Sequence, residues 1–323
     1  MTIAKTPKTS LATALSAEPV FRFSGHETFA LRIAWIPKAA AEIVANRDPF
    51  TNPDEGIVTL GLGKNMVQSL RAWLDAFQIA KKRGTRWSLT PLADLVFGKE
   101  GLDSYLEDPA TPWLLHWLIA TNRSAPFWAW ECLFNLWSAI EFTGSEVLAA
   151  FRRHADRNSK PTSPVTLRQH WEVFLHTYRL QRRDQGEDNL DSALSVLGLI
   201  RQVGERLNET GKWEPVYAFD TGPKRGISQD LFTFFLHDWW NHAFPHEQTV
   251  PFPEVMNGSH SPGRVLKMQE REIVRRLSDL GAERPKVFAV TESASLRQIN
   301  RIQRCDGLVE LESAYRSPRF PTL

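Results

Sequence analysis

The sequence predicts a mainly α-helical protein: a winged helix-turn-helix module near the start, a helical aromatic-rich middle, and a second helical, winged-helix-like module. Three observations predict it. Apolar residues recur at i, i+3, i+4 spacing in several segments, most clearly in residues 64–79, where Met66, Val67, Leu70, Trp73, Leu74 and Phe77 fall on one face. A basic stretch around Gly84 follows that segment directly, and helix, turn, helix, basic hairpin is the order of a winged helix. Five of the twelve tryptophans, Trp113, Trp117, Trp128, Trp130 and Trp137, then crowd into residues 101–140, a density that marks a core or a seam between units.

Taken in order, residues 32–45 place Ile33, Ile36, Ala40, Ile43 and Val44 at a helical period, with Pro37 suited to a first turn. Residues 46–55 carry Pro49 and Pro53 and read as a turn, followed by a short apolar segment at 57–60 and the punctuation of Gly61 and Gly63. The 64–79 helix shows Lys64, Asn65, Gln68, Ser69 and Arg71 on its polar side. Residues 80–89 read as two extended stretches, Thr90-Pro91 opens a short helix, and another helix starts near Pro112. Beyond a linker at 158–164, helices are expected at 165–183, 190–199 and 228–244, with 200–203 and 216–219 pairing as strands. Residues 245–263 hold four prolines and are expected to be irregular, and helices are expected near 265–280 and 294–304.

At 323 residues the chain exceeds one typical core. The expected division is a disordered leader at 1–20, a winged-helix DNA-binding module at 21–100, a Trp-rich helical connection at 101–160, the second module at 161–304 and a tail at 305–323. Cys132 and Cys305 are the only cysteines, which leaves no disulfide framework and suits the cytoplasm. The longest apolar run, residues 113–120, contains His116 and falls far short of a membrane span.

A net charge of +2 says little, but its distribution says more. Between Gly61 and Thr90, Lys64, Arg71, Lys81, Lys82, Arg83 and Arg86 face Asp75 alone, a local net of +5, which is a physical reason to expect phosphates. Residues 264–304 carry a second +5 excess. Gly61-Leu62-Gly63-Lys64-Asn65 misses the phosphate-loop template, with Val58 where a glycine and Asn65 where Ser or Thr is needed, so no nucleotide or organic cofactor is expected. His237, His242 and His246 match no standard zinc spacing. Glu107 and Asp108 fit helix-start acids better than a metal site.

The segment Phe23-Ser24-Gly25-His26-Glu27-Thr28-Phe29, with Arg32 following, concentrates a histidine, a carboxylate and a guanidinium. That set suffices for acid–base or metal-assisted chemistry. It equally suits a capping and ion-pair network for the helix that follows.

Three phrases, residues 23–39 (FSGHETFALRIAWIPKA), 60–74 (LGLGKNMVQSLRAWL) and 105–120 (YLEDPATPWLLHWLIA), together resemble the SspB-like family, formerly a domain of unknown function. This family belongs to bacterial Ssp-type DNA phosphorothioation and phage-defence systems. The phrases span the first 120 residues in order; the second half resembles the family more loosely, through the LRQINR string from Leu296, and 305–323 matches nothing in it. The resemblance implies a DNA-engaging, strand-nicking component that works with cysteine desulfurase, sulfurtransferase-like and ATPase proteins on double-stranded DNA. It fixes no nuclease residues.

The expectation is therefore a DNA-binding protein that nicks DNA with Mg²⁺ or Mn²⁺. His26, Glu27 and Arg32 are its candidate catalytic group. Lys64, Asn65, Gln68, Ser69 and Arg71 face or flank the major groove, and Lys81, Lys82, Arg83 and Arg86 contact the backbone. The alternatives are a non-catalytic adaptor that docks the sulfurtransferase onto DNA, and a transcriptional regulator of the defence cluster.

Overall fold

The computed structural model describes residues 20–124, 126–157, 162–179, 192–284, 287–292, 297–304 and 306–316. The leader, most of the linker at 158–164, and the stretch that would extend the helix at 165–183 lie outside these. The chain is mainly helical with small antiparallel sheets. Helices α1 (Trp35–Val44), α2 (Pro53–Leu60) and α3 (Lys64–Ala76) precede a hairpin of β1 (Ala80–Arg83) and β2 (Arg86–Leu89), then α4 (Pro91–Phe97). Helix α5 (Ala110–Ala120) leads to the single turn α6 (Trp128–Trp130), which continues as a π-helical segment, Glu131–Leu136. Then come β3 (Glu141–Thr143), α7 (Gly144–Arg157) and α8 (Pro164–Tyr178). Strands β4 (Ile200–Leu207) and β5 (Trp213–Phe219) form a long hairpin, with β3 on the far side of β5. The chain closes with α9 (Gln229–Ala243), β6 (Thr249–Pro251), α10 (Phe252–Asn257), α11 (Pro262–Val265), α12 (Glu270–Glu283), β7 (Phe288–Glu292), β8 (Arg297–Arg301) and α13 (Gly307–Arg316). The last sheet runs β6-β8-β7.

Prolines explain several departures from the sequence reading. Pro53, Pro91, Pro164 and Pro262 each open a helix behind a capping side chain, Asn52, Thr90, Ser163 and Ser261, which accepts a backbone N–H of the first turn. A proline has no N–H to lose at that position, and such a cap contributes about 1 kcal/mol. Thus the expected turn at 46–55 gives way at Pro53 to helix α2, which takes in the short apolar segment at 57–60, and 245–263 holds a strand and two helices rather than irregular chain. The helix expected at 190–199 is, among described residues, only a 3₁₀ turn at Ser195–Leu197. The helix expected at 294–304 is strand β8, paired in register with β7 from Arg297 opposite Glu292 to Arg301 opposite Phe288. Within the expected tail, α13 packs on α9 and Tyr315 Oη lies 2.8 Å from Thr111 Oγ1.

Buried side chains from Leu31 to Tyr315 form one contiguous core. At its centre, Trp130 Nε1 donates to Tyr178 Oη at 2.9 Å, and Tyr178 lies 2.8 Å from His116 Nδ1. His116 Nε2 is 3.0 Å from the Val265 carbonyl, an acceptor only. The proton therefore sits on Nε2, and Tyr178 O–H donates to Nδ1. Burial pushes His116 down to about 3, so the ring stays neutral inside the fold.

Candidate nucleic-acid interface

Helix α3 begins after Gly63, where the chain turns out of α2 through Gly61 at φ +62°. Its apolar stripe, Val67, Leu70, Trp73 and Leu74, is buried. Lys64, Asn65, Gln68 and Arg71 are exposed as the sequence predicts. Ser69 is not: it is fully buried and its hydroxyl donates to the His26 carbonyl at 2.8 Å. Ser69 fastens the N-terminal segment to α3 and cannot reach a groove of DNA.

Gly84, at φ +62°, turns the hairpin between β1 and β2, pairing Arg83 with Arg86 at its tip. Only glycine takes that backbone conformation at little cost. Lys81, Lys82, Arg83 and Arg86 all stand exposed on this hairpin. Among the described residues none of the four forms an ion pair with a carboxylate; Lys82 Nζ donates to Thr51 Oγ1 at 2.8 Å. The Arg71 guanidinium lies 5.6 Å over the Trp87 ring, tying α3 to the hairpin. Asp75, the one acid of this stretch, is engaged by Arg22 at 2.9 Å.

The His26, Glu27 and Arg32 group is dispersed by burial. His26 is 1% exposed, whereas Glu27 is exposed on a left-handed backbone at φ 52°. Ala129 N–H donates to His170 Nε2 at 2.9 Å, so the His170 proton lies on Nδ1 and donates to His26 Nε2 at 2.6 Å. His26 Nδ1–H then donates to the Glu27 carbonyl at 2.9 Å. Every ring nitrogen of the pair is used. Burial pushes His26 down to about 4 and His170 well below the ordinary histidine range. His26 is thus a neutral structural link, without a lone pair for a metal or a substrate proton. The Arg32 backbone bridges to Ser192. Among the described residues no cluster of three or more His, Cys, Asp or Glu could share a metal ion.

Beside the hairpin runs a groove of about 560 Å³, lined by Lys81, Arg83, Arg123, Asp238, His242 and His260 among others. His260 Nε2 lies 2.8 Å from Glu131 Oε2, and the two side chains are only 12% and 10% exposed. Sequence reading missed Arg123, Glu131 and His260. Glu131 and His260 are far apart in the chain and only packing joins them; the one local signal was the run Ser259-His260-Ser261-Pro262, which reads as a loop.

A family model described as "Protein of unknown function (DUF4007)" matches residues 23–313. No curated protein matches the chain. A solved chain described as "SspB crystal structure" superposes with a TM-score of 0.78 at 25% identity, covering 92% of this chain and 90% of that one. A second, "Magnesium ion-bound SspB crystal structure", gives 0.77 at 26% identity with the same coverage. No helix among the described residues is long and apolar enough to cross a membrane. Its long family match and its near-complete superposition on SspB place this chain in the DUF4007 family, as an SspB-like protein.

Proposed function

We propose that this chain is the DNA-engaging, strand-nicking subunit of an Ssp-type phosphorothioation system in the cytoplasm, and that residues 21–100 act as its winged helix-turn-helix. The observation that carries the reading is the exposed row Lys81, Lys82, Arg83 and Arg86 on a hairpin beside the exposed Lys64, Asn65, Gln68 and Arg71. Cations arranged this way meet successive phosphates, while a polar helix face beside them meets base edges. The SspB likeness supports a phosphorothioation setting, and we propose cysteine desulfurase, sulfurtransferase-like and ATPase proteins as the partners. The magnesium-bound SspB structure supports assaying nicking with Mg²⁺ or Mn²⁺.

The adaptor reading has one observation of its own. The β4–β5 hairpin, within the proposed second module (161–304), exposes Trp213 at 68% and Leu207 at 52%, a surface suited to a protein partner.

Two variants at the start of α3 test the DNA reading. Lys64→Ala and Asn65→Ala are expected to weaken duplex binding with folding intact. Loss of a base contact costs about 1–3 kcal/mol, and loss of a phosphate contact lowers the salt slope by about one unit. Fluorescence anisotropy on a labelled duplex measures both. Unchanged affinity in both variants removes α3 as the reader, and conversion of supercoiled plasmid to open circles tests nicking separately.

A further inference from the structure

His260, on the wall of the groove beside the hairpin, stands between two further side chains, the neighbouring Ser259 and Glu131. Ser259 Oγ lies 2.8 Å from His260 Nδ1, and His260 Nε2 lies 2.8 Å from Glu131 Oε2. The carboxylate accepts only, so Nε2 carries the proton. Nδ1 is left as a base, and the Ser259 O–H points into it. The hydroxyl is exposed, while the base and its carboxylate are half-enclosed. This order, hydroxyl to imidazole to carboxylate, activates a serine oxygen as a nucleophile.

The surrounding structure holds these atoms in place. Trp239 Nε1 donates to the Ser259 carbonyl at 3.0 Å, and the His260 N–H donates to Asn135 Oδ1 at 3.1 Å. His260 itself is kept at φ 57°, a conformation that costs energy for a residue with a side chain. Glu131 opens the π-helical segment, and such a segment re-aims side chains relative to an ordinary helix. Arg123, Lys81 and Arg83 on the groove wall outnumber Asp238, so the groove suits an anionic substrate.

We propose that Ser259, His260 and Glu131 form a nucleophilic relay whose electrophile is a phosphodiester held in this groove. The choice of electrophile rests on the DNA-engaging reading above. Ser259 Oγ bonds to phosphorus as its proton passes to His260 Nδ1. The phosphorus–oxygen bond to one sugar hydroxyl breaks, and His260 returns the proton to that leaving oxygen. Water, giving a proton to the same Nδ1, then hydrolyses the phosphoserine ester and frees the serine. Ser259 and His260 are the catalytic residues. Glu131 is a positioning residue that fixes the tautomer and supports the imidazolium.

The experiment uses full-length protein, supercoiled plasmid and a labelled duplex, with duplex affinity, nicking and melting temperature measured on the same samples. Ser259→Ala is expected to lower the nicking rate on the order of a thousandfold with affinity and melting temperature preserved. Wild-type reactions quenched in denaturant are expected to show a nucleotide adduct on the Ser259 peptide by mass spectrometry. Glu131→Gln is expected to lower kcat with KM, duplex affinity and melting temperature preserved, a split that a merely structural role would not produce. If Ser259→Ala melts low, Ser259→Cys replaces it. Nicking at the wild-type rate in the serine variant overturns the relay, as does the absence of an adduct. Wild-type binding without nicking also overturns it but leaves the DNA-engaging reading standing; loss of duplex binding would instead refute that reading.

Discussion

Trp73→Ala is expected to destabilise the fold by about 3–5 kcal/mol, the range for deleting a large buried aromatic. Trp73 is fully buried on α3, stacks on Phe77 at 5.6 Å and meets Phe127 and Trp130 edge-on at 5.6 and 5.5 Å. Its Nε1 also donates to the Phe29 carbonyl at 3.1 Å, so truncation leaves both a cavity and an unpaired acceptor. Trp73→Phe separates the two effects, since it keeps most of the packing and loses the donor, at about 1–3 kcal/mol. Urea unfolding followed by circular dichroism measures both. A loss below about 1 kcal/mol for Trp73→Ala would mean that the N-terminal segment, α3 and α6 are not joined through this ring.

The second large effect is a loss of stability in mild acid. Burial pushes His26 and His237 down to about 4, His116 to about 3, and His170 well below its ordinary value. In the unfolded chain these rings take up protons near pH 6.5. As pH falls below 6.5 the unfolded state therefore binds protons that the native state refuses, and stability drops until the native pKa values are reached. The slope approaches about 1.4 kcal/mol per pH unit for each such histidine. Urea midpoints are expected to be flat from pH 8 to 7 and to fall steeply between 6 and 5, above the range where most carboxylates titrate. A flat midpoint down to pH 5 would contradict the neutral assignment of these rings.

The same residues show what the sequence made legible. Helix α3 was readable because Val67, Leu70, Trp73 and Leu74 repeat at helical spacing, and the hairpin because Gly84 splits a short basic run. Helix α2 was hidden because Pro53 reads as a breaker until its capping partner Asn52 is seen. Strand β8 was hidden because Arg297, Gln298, Ile299, Asn300 and Arg301 show little apolar alternation. Tertiary contacts decide it, with Arg301 over Trp240 at 5.0 Å and Arg297 over Phe252 at 5.1 Å. The exposed cations Lys81, Lys82, Arg83 and Arg86 of the candidate interface were legible from charge alone. His26 and Ser69 were misassigned because their partners are each other's segments and His170, contacts between residues distant in the chain. The Glu131–His260 pair was out of reach for the same reason.

The central claim is that the β1–β2 hairpin holds the DNA backbone, and salt dependence tests it most directly. Duplex dissociation constants are to be measured at several salt concentrations for the wild type and for the variant with Lys81, Lys82, Arg83 and Arg86 all replaced by Ala. Each phosphate that the protein no longer neutralises takes about 0.9 from the slope of log affinity against log salt. The quadruple variant is therefore expected to show a slope shallower by about 3 to 4 units, equally on unrelated sequences. Identical slopes in the two proteins, or a weakening confined to one sequence, would contradict the claim.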